Sequence, residues 1–337
     1  MTTVEMPQAP PAPEQPRRRR RGRTVLLWLL ALAVIGVFAA IGALLWADSK
    51  IEKIPESELE SLQPVDAGIR NILIVGTDSR EDLPDDFEGN FGSFSGSRTD
   101  VIMLAHFSGG RAQLLSIPRD LKVEIPGEGT QKINAAYVFG GPDLLVQTVQ
   151  NNLGVAVNNY IEIDFVGFAN VVDALGGVTL TFDNPARDLK SGLDVPAGEQ
   201  TLGGEMALAY ARSRSYQELR SGDWVSVDGS DIGRTGRQQQ LLLTMFDQAT
   251  SPGRAFNLPG FAAAFAEQIR ADSGVSVGVL VELGRAVLGL ESGEIDTRTL
   301  PVSISDEGGV SYVVRIEPAA TDVLDAFTSG SPFPPEG

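Results

Sequence analysis

The sequence predicts an α/β domain, a mixed central sheet flanked by helices, preceded by one transmembrane helix. Three observations carry this. An arginine block is followed by a 23-residue uncharged run near the N-terminus, and apolar β-rich runs of strand length occupy 71–77 and 100–107. Strand and helix signals then interleave without regular βαβ alternation, as in a mixed sheet covered by helices.

The N-terminal elements come first. Residues 1–16 are rich in Pro, Ala and Gln, a composition that buries little and reads as a disordered tail. Arg17 to Arg21 and Arg23 precede the run 24–46. As a helix that run would span about 34 Å, enough for a bilayer core of about 30 Å. The basic block retains the tail in the cytoplasm by the positive-inside rule, so everything after Trp46 is expected outside. A cleaved signal peptide has a shorter hydrophobic region, about 7–15 residues, and a small-x-small site. Here Leu45 and Trp46 interrupt the site near Ala47, so an uncleaved anchor is expected. The polar segment 47–67 reads as a juxtamembrane stalk. The ordered extracytoplasmic domain is expected over 68–327, with 328–337 as a flexible tail.

Within the domain, 112–117 follows Ser108-Gly109-Gly110 as the second arm of a hairpin. Helices are expected at 142–153, with Pro at its start and Gly154 past its end, and at 165–175, closed by Gly176-Gly177. Strands at 160–163 and 178–182 and helices at 204–211, 234–248, 261–269 and 277–290 follow. Late strands at 298–302 and 310–316 and a closing helix at 319–327 complete the pattern. Two stretches, 79–98 and 214–233, have no regular pattern, and loops of that length are commonly functional.

Composition excludes several chemistries. The chain has no cysteine, which removes thiol nucleophiles, zinc clusters and iron–sulfur clusters together. The one histidine, His106, lies in the apolar run 101–107 and reads as a core residue rather than a general base. Any metal would be a hard ion on oxygen ligands, magnesium foremost. The first fifty residues carry seven basic and three acidic side chains; the remainder carries 20 and 41, a net −21. A domain that acidic repels nucleic acid phosphates, so no nucleic acid partner is expected.

Two constellations carry chemistry. Asp78 follows one apolar strand and Asp100 begins the next; antiparallel pairing would bring both carboxylates to one rim, where they could share magnesium or merely cap turns. The second is arginine in an acidic setting. Arg98 stands two before Asp100, and Arg119 follows Pro118 at a strand end. Arg212 and Arg214 are two apart, and can cooperate only if the chain has left its helix between them. Arg234, Arg237 and Gln238 fall at i, i+3 and i+4, one helical face. Guanidinium groups in such number either capture phosphate bidentately or form surface ion pairs of small energetic worth.

The segments NILIVGTDS (71–79), SRTDVIML (97–104), LSIPRD (115–120), KINAAY (132–137), GGP (140–142), DALGG (173–177), AYARSR (209–214) and DIGRTGRQQQ (231–240) occur in that order. Together they resemble the LytR-CpsA-Psr family over about residues 68–250. The resemblance implies a mixed sheet with a long apolar groove for a polyprenyl tail. It implies transfer of a glycopolymer phosphate from a polyprenyl-pyrophosphate donor to a peptidoglycan hydroxyl at the outer face of the cytoplasmic membrane. It marks Asp78 and Asp100 as the magnesium pair. It also marks Arg98, Arg119, Arg212, Arg214, Arg234 and Gln238 as pyrophosphate-facing, with Lys132 and Arg237 in support. The segments 79–97 and 215–230 are longer than in many members. The apolar stretches 144–149, 165–175 and 241–246 are candidate walls for the lipid. A phosphohydrolase using water as acceptor, or a non-catalytic lipid-glycan binding protein, would use the same arginines. A membrane-tethered transcriptional attenuator conflicts with the outward topology and the charge.

Overall fold

A computed structural model of the chain describes residues 46–65, 68–78, 99–108, 111–227, 231–251, 263–280, 282 and 295–335. The chain divides into two units, Met1–Leu45 and Trp46–Gly337, and the described residues belong to the second. The expected tail and all but the last residue of the expected anchor lie outside them. Among the described residues no helix is long and apolar enough to cross a membrane.

The strands are β1 (Glu52–Lys53), β2 (Arg70–Thr77), β3 (Thr99–Ser108), β4 (Arg111–Ser116), β5 (Lys122–Ile125) and β6 (Gly129–Lys132). Helix α1 (Ala135–Leu153), strand β7 (Asn159–Asp164) and helix α2 (Phe165–Ala174) follow. Next come β8 (Val178–Phe182), β9 (Ala186–Asp188), β10 (Leu193–Val195), β11 (Gly198–Leu202) and helix α3 (Gly204–Arg212). The chain continues through β12 (Gln217–Arg220), β13 (Asp223–Ser226), helix α4 (Asp231–Thr250) and β14 (Ile269–Ala271). It finishes with β15 (Asp296–Thr299), β16 (Val302–Glu307), β17 (Val310–Arg315) and helix α5 (Ala319–Ser329).

Seven strands form the central sheet in the order β1-β14-β7-β2-β3-β4-β15. It is mixed: β2 runs antiparallel to β3 and parallel to β7. Both faces are covered, which is why β2 reads as an unbroken apolar run instead of an alternating one. Leu73 and Val75 pack with Ile102, Leu104 and Leu115 against Leu145, Val146 and Val149 of α1 and Phe327 of α5. Ile72, Met103 and Leu114 face the other way, onto Ala266, Ile269 and Val275. A further core joins α2, α3 and α4 to β8, β9 and β10, with Val172, Leu180, Tyr210 and Leu241 at its centre.

Local sequence explains the helix ends. Asp164 caps α2, accepting from the Gly167 amide at 2.6 Å. Gly140 and Gly141 kink α1, so its regular part begins at Pro142 as expected, and Gly154 ends it in the left-handed region. The N-cap of α3, Gly203, has no side chain; Asp173 of α2 instead accepts from the Gly204 amide at 2.8 Å.

Three expectations need correction. The segment 47–67 is not a free stalk: β1 pairs with β14 at the edge of the central sheet, and Ala47, Ile51, Ile54 and Leu59 are buried. A few apolar side chains in a polar run suffice to seat a strip on a sheet edge, so the domain starts about twenty positions before Gly68. Nor is 328–337 a loose tail throughout. Phe333 stacks on Phe327 at 6.3 Å, and its amide donates to Asp296 at 2.9 Å. Finally, 214–233 contains the hairpin β12–β13 and the start of α4. The loop 79–98 lies outside the described residues.

Candidate functional site

The site is built on the rim where β2 ends and β3 begins. The register pairs Gly76 with Val101 but Thr77 with Thr99, so Asp100 is the extra residue of a bulge. Bulges bend a strand and re-aim side chains, and they favour sheet rims beside functional sites. Gly76 is required there, because a Cβ would stand 2.9 Å from the Val101 Cβ. Asp78 directly follows Thr77, so the two acids flank one strand pair, as their spacing predicted. Arg98 lies outside the described residues.

Arg119 comes from the turn after β4. The Leu121 amide donates to the Pro118 carbonyl at 3.0 Å and the Asn134 amide to the Arg119 carbonyl at 3.2 Å. Thus held, the Arg119 guanidinium donates to the Asp100 carboxylate, while its Nε lies 3.9 Å from Asp120. Lys132 pairs with Asp120 at 3.2 Å, one step behind Arg119. It supports the turn that carries Arg119.

The opposite wall is the junction of α3 and α4. Ser213 leaves helical geometry (φ −60°, ψ 121°), so the chain turns between Arg212 and Arg214. This is the departure their cooperation required. Arg214 reaches to 3.9 Å from Asp100, and Arg212 lies over the Phe165 ring at 4.8 Å. Arg234, Arg237 and Gln238 are all buried, but the single face expected of them divides. Arg234 and Gln238 line the cleft, whereas Arg237 donates to the Ser213 carbonyl and stacks over Tyr216 at 4.8 Å. Gln238 also donates to the Ala211 carbonyl at 3.1 Å.

Between these walls lies a cleft. Ile74, Met103 and Ile163 of the sheet line it with Phe165, Phe168, Leu208, Leu241 and Leu242, and Asp100, Asp164, Arg212, Arg234 and Gln238 form the polar part of the lining. The expected walls 165–175 and 241–246 are therefore present in part. The stretch 144–149 is not among them, since α1 packs on the other face of the sheet.

Sequence reasoning passed over Asp188 and Asp164. Asp164 lines the cleft as well as capping α2. Asp188, at the end of β9, accepts from the Ser213 hydroxyl at 2.8 Å and from the Arg214 and Ser215 amides at 2.9 and 2.7 Å. Burial would raise its pKa, but hydrogen bonds from Ser215, Ser213, Lys190 and Ser191 outweigh that and hold it below the ordinary value. Its sequence signal, NPARDL, is a short strand with no distinctive pattern. His106 is a core residue as expected: its Nδ1 lies 2.7 Å from Asn71 Oδ1, and the ring packs edge-on against Phe327.

The arrangement is a mixed α/β sandwich with Asp100, Arg212 and Arg234 among the lining of a largely apolar cleft. Residues 45–328 match the LytR_cpsA_psr family, and the chain belongs to that family. It is 39% identical over 232 residues to the probable cell wall biosynthesis protein LcpB of Corynebacterium glutamicum, covering 68% of this chain and 52% of that protein. It is 34% identical over 223 residues to TagV of Bacillus subtilis, named a polyisoprenyl-teichoic acid–peptidoglycan teichoic acid transferase, covering 63% and 53%. The chain thus spans about half the length of these relatives. The LytR-Csp2A-Psr enzyme from Actinomyces oris superposes with a TM-score of 0.62 at 28% identity, over 79% of this chain and 96% of that one.

Proposed function

We propose that the chain is a magnesium-dependent phosphotransferase that moves a polyprenyl-pyrophosphate-linked glycopolymer onto a peptidoglycan hydroxyl and releases polyprenyl phosphate. The observation that carries this is one cleft with apolar walls at Phe165, Phe168, Leu241 and Leu242 and with Arg212, Arg234, Gln238 and Asp100 also lining it. Its natural occupant is hydrocarbon at one end and anionic at the other; a soluble sugar phosphate would leave the apolar walls wet. The names of the relatives, as cell wall biosynthesis proteins and teichoic acid transferases, support the same reading. A membrane-borne donor accords with the anchor expected at 24–46 and with a catalytic domain outside the cytoplasm.

In the proposed reaction the acceptor oxygen bonds to the glycan-bearing phosphorus. The bond from that phosphorus to the bridging oxygen breaks, and the bridging oxygen leaves with polyprenyl phosphate. The hydroxyl proton passes to a carboxylate of the rim. Such a transfer depends on alignment and charge neutralisation more than on a covalent nucleophile. Arg119, Arg212, Arg214 and Arg234 would hold phosphate oxygens by charge-assisted hydrogen bonds, and Arg98 joins them by its motif. The donor set fits magnesium: two carboxylates at adjoining strand ends, with phosphate and water left to complete its shell. Held by Asp78 and Asp100, the ion would neutralise charge on the pyrophosphate.

Mass spectrometry of lipid co-purified with the full-length chain from membranes tests the ligand. The expected species is a polyprenyl phosphate or pyrophosphate bearing sugar, lost when Arg212 and Arg234 are both replaced by alanine. Recovery of ordinary phospholipid alone, equal in both proteins, would contradict the proposal.

A further inference from the structure

The turn that presents Arg212 and Arg214 is held from both sides by hydrogen bonds. On its carbonyl side, Arg237 binds the Ser213 oxygen and Gln238 the Ala211 oxygen. On its donor side a single carboxylate oxygen, Oδ2 of Asp188, collects the Ser213 hydroxyl and the Arg214 and Ser215 amides. The other oxygen accepts from the Lys190 amide at 2.9 Å. Asp188 is 1% exposed, whereas the Arg214 side chain is 46% exposed and points toward Asp100. The buried acid therefore addresses the backbone of the turn and the Ser213 hydroxyl, while Arg212 lines the cleft and Arg214 reaches toward Asp100.

An ionised carboxylate this deep is retained only if its lone pairs are filled, and here backbone donors from consecutive residues fill them. Those donors can converge on one oxygen only if Ser213, Arg214 and Ser215 keep their present dihedrals. The same dihedrals decide whether two arginines, two positions apart, point to one place.

We propose that Asp188 is a positioning residue for anion binding: by gathering the donors of Ser213, Arg214 and Ser215, it sets where the chain leaving Arg212 directs the guanidinium group of Arg214. The inference rests on the phosphate-binding role given to those arginines above. Asp188→Asn is the informative variant, because it removes the charge that gathers these donors and turns one of the two acceptor oxygens into an amide donor.

The experiment is a double-variant cycle on the full-length protein in detergent, with farnesyl pyrophosphate and magnesium as the probe and the dissociation constant as the readout. Asp188→Asn and Arg214→Ala are each expected to weaken binding about tenfold. Combined, they are expected to bind within about twofold of Arg214→Ala, since the acid acts through the arginine. Val195→Ala, in the neighbouring strand of the same small sheet, controls for structure: it should lower the melting temperature and leave binding unchanged. If Asp188→Asn fails to fold, Ser213→Ala removes one of the three donors and should weaken binding by a smaller factor. Wild-type binding by Asp188→Asn, or by a folded Ser213→Ala when Asp188→Asn cannot be made, would overturn the positioning role alone. So would effects of Asp188→Asn and Arg214→Ala that multiply. Wild-type binding by Arg214→Ala would overturn the anion-site reading and this inference with it.

Discussion

Arg119 donates to the carboxylate of Asp100 at the point where the register between β2 and β3 breaks. The acid projects there because it is the extra residue of the bulge. The arginine arrives there because the turn after β4 is tied by backbone hydrogen bonds to Leu121 and Asn134. The divalent ion proposed at Asp100 would compete with Arg119 for the same carboxylate, and a pyrophosphate group would receive the displaced guanidinium.

This competition has a measurable consequence. Arg119→Ala should bind magnesium more tightly than wild type without donor present, yet lose transfer by about 10²-fold or more, the scale for one preorganised contact to developing charge. Asp100→Asn should lose both magnesium affinity and transfer. Calorimetric titration beside a rate assay separates the two patterns. Equal loss of magnesium affinity in both variants would show that the pair is merely structural.

Lysine should be a poor substitute at Arg212 and Arg234. A point charge cannot reproduce a planar fork that engages two oxygens, so each variant is expected to lose about 10–100-fold in transfer, roughly 1.4–2.7 kcal/mol. Melting temperatures should be measured alongside, because Arg234 is buried and its replacement alters packing. Transfer rates within a few-fold of wild type would return these arginines to ordinary ion pairing.

Much of this site was legible in the sequence, for identifiable reasons. The acids at 78 and 100 could be placed together because two long apolar runs almost had to pair, and antiparallel pairing joins their near ends. Arg212 and Arg214 were legible as residues but not as a pair, since helical geometry alone sets them apart and the turn at Ser213 depends on Asp188, far along the chain. Helical spacing alone did not divide Arg237 from Arg234, although the family resemblance set Arg237 apart as a supporting position; the division depends on the Ser213 carbonyl and Tyr216 lying beside α4. The segment 47–67 misled because its few buried residues are scattered through a polar run, and the partner strand β14 lies over two hundred positions away.

The close approach of α2 and α3 gives a stability prediction. A Cβ at Gly204 would stand 2.3 Å from the Ala169 carbonyl oxygen, so the helices must separate in Gly204→Ala. Overpacking of this kind costs about 1–3 kcal/mol. The melting temperature should fall by roughly 2–4 °C per kcal/mol in a domain of this size. Transfer should fall as well, because α3 carries Arg212. An unchanged melting temperature would contradict the packing described.

His106 predicts a pH dependence of stability. Burial lowers its pKa from the ordinary value of 6.5, and the neutral ring has its Nδ1 against Asn71. The unfolded chain therefore takes up a proton near pH 6.5 that the folded chain resists, so stability falls as pH drops below about 6.5 and this loss is absent above it. Between pH 7 and pH 5, denaturant midpoints should decline less in His106→Gln than in wild type. Parallel declines would assign the effect to other groups.

The central claim, transfer to peptidoglycan instead of release to water, is tested most directly by following the phosphate. Full-length protein, magnesium, peptidoglycan oligomers and a lipid-pyrophosphate oligosaccharide labelled in its sugar-linked phosphate would be incubated and the products separated. The account predicts the label in a phosphodiester on peptidoglycan, with one polyprenyl phosphate released per transfer and no product without magnesium. Label recovered wholly as free glycan phosphate would make the protein a hydrolase, and a donor bound but never consumed would make it a lipid-glycan binding protein; either result contradicts the account.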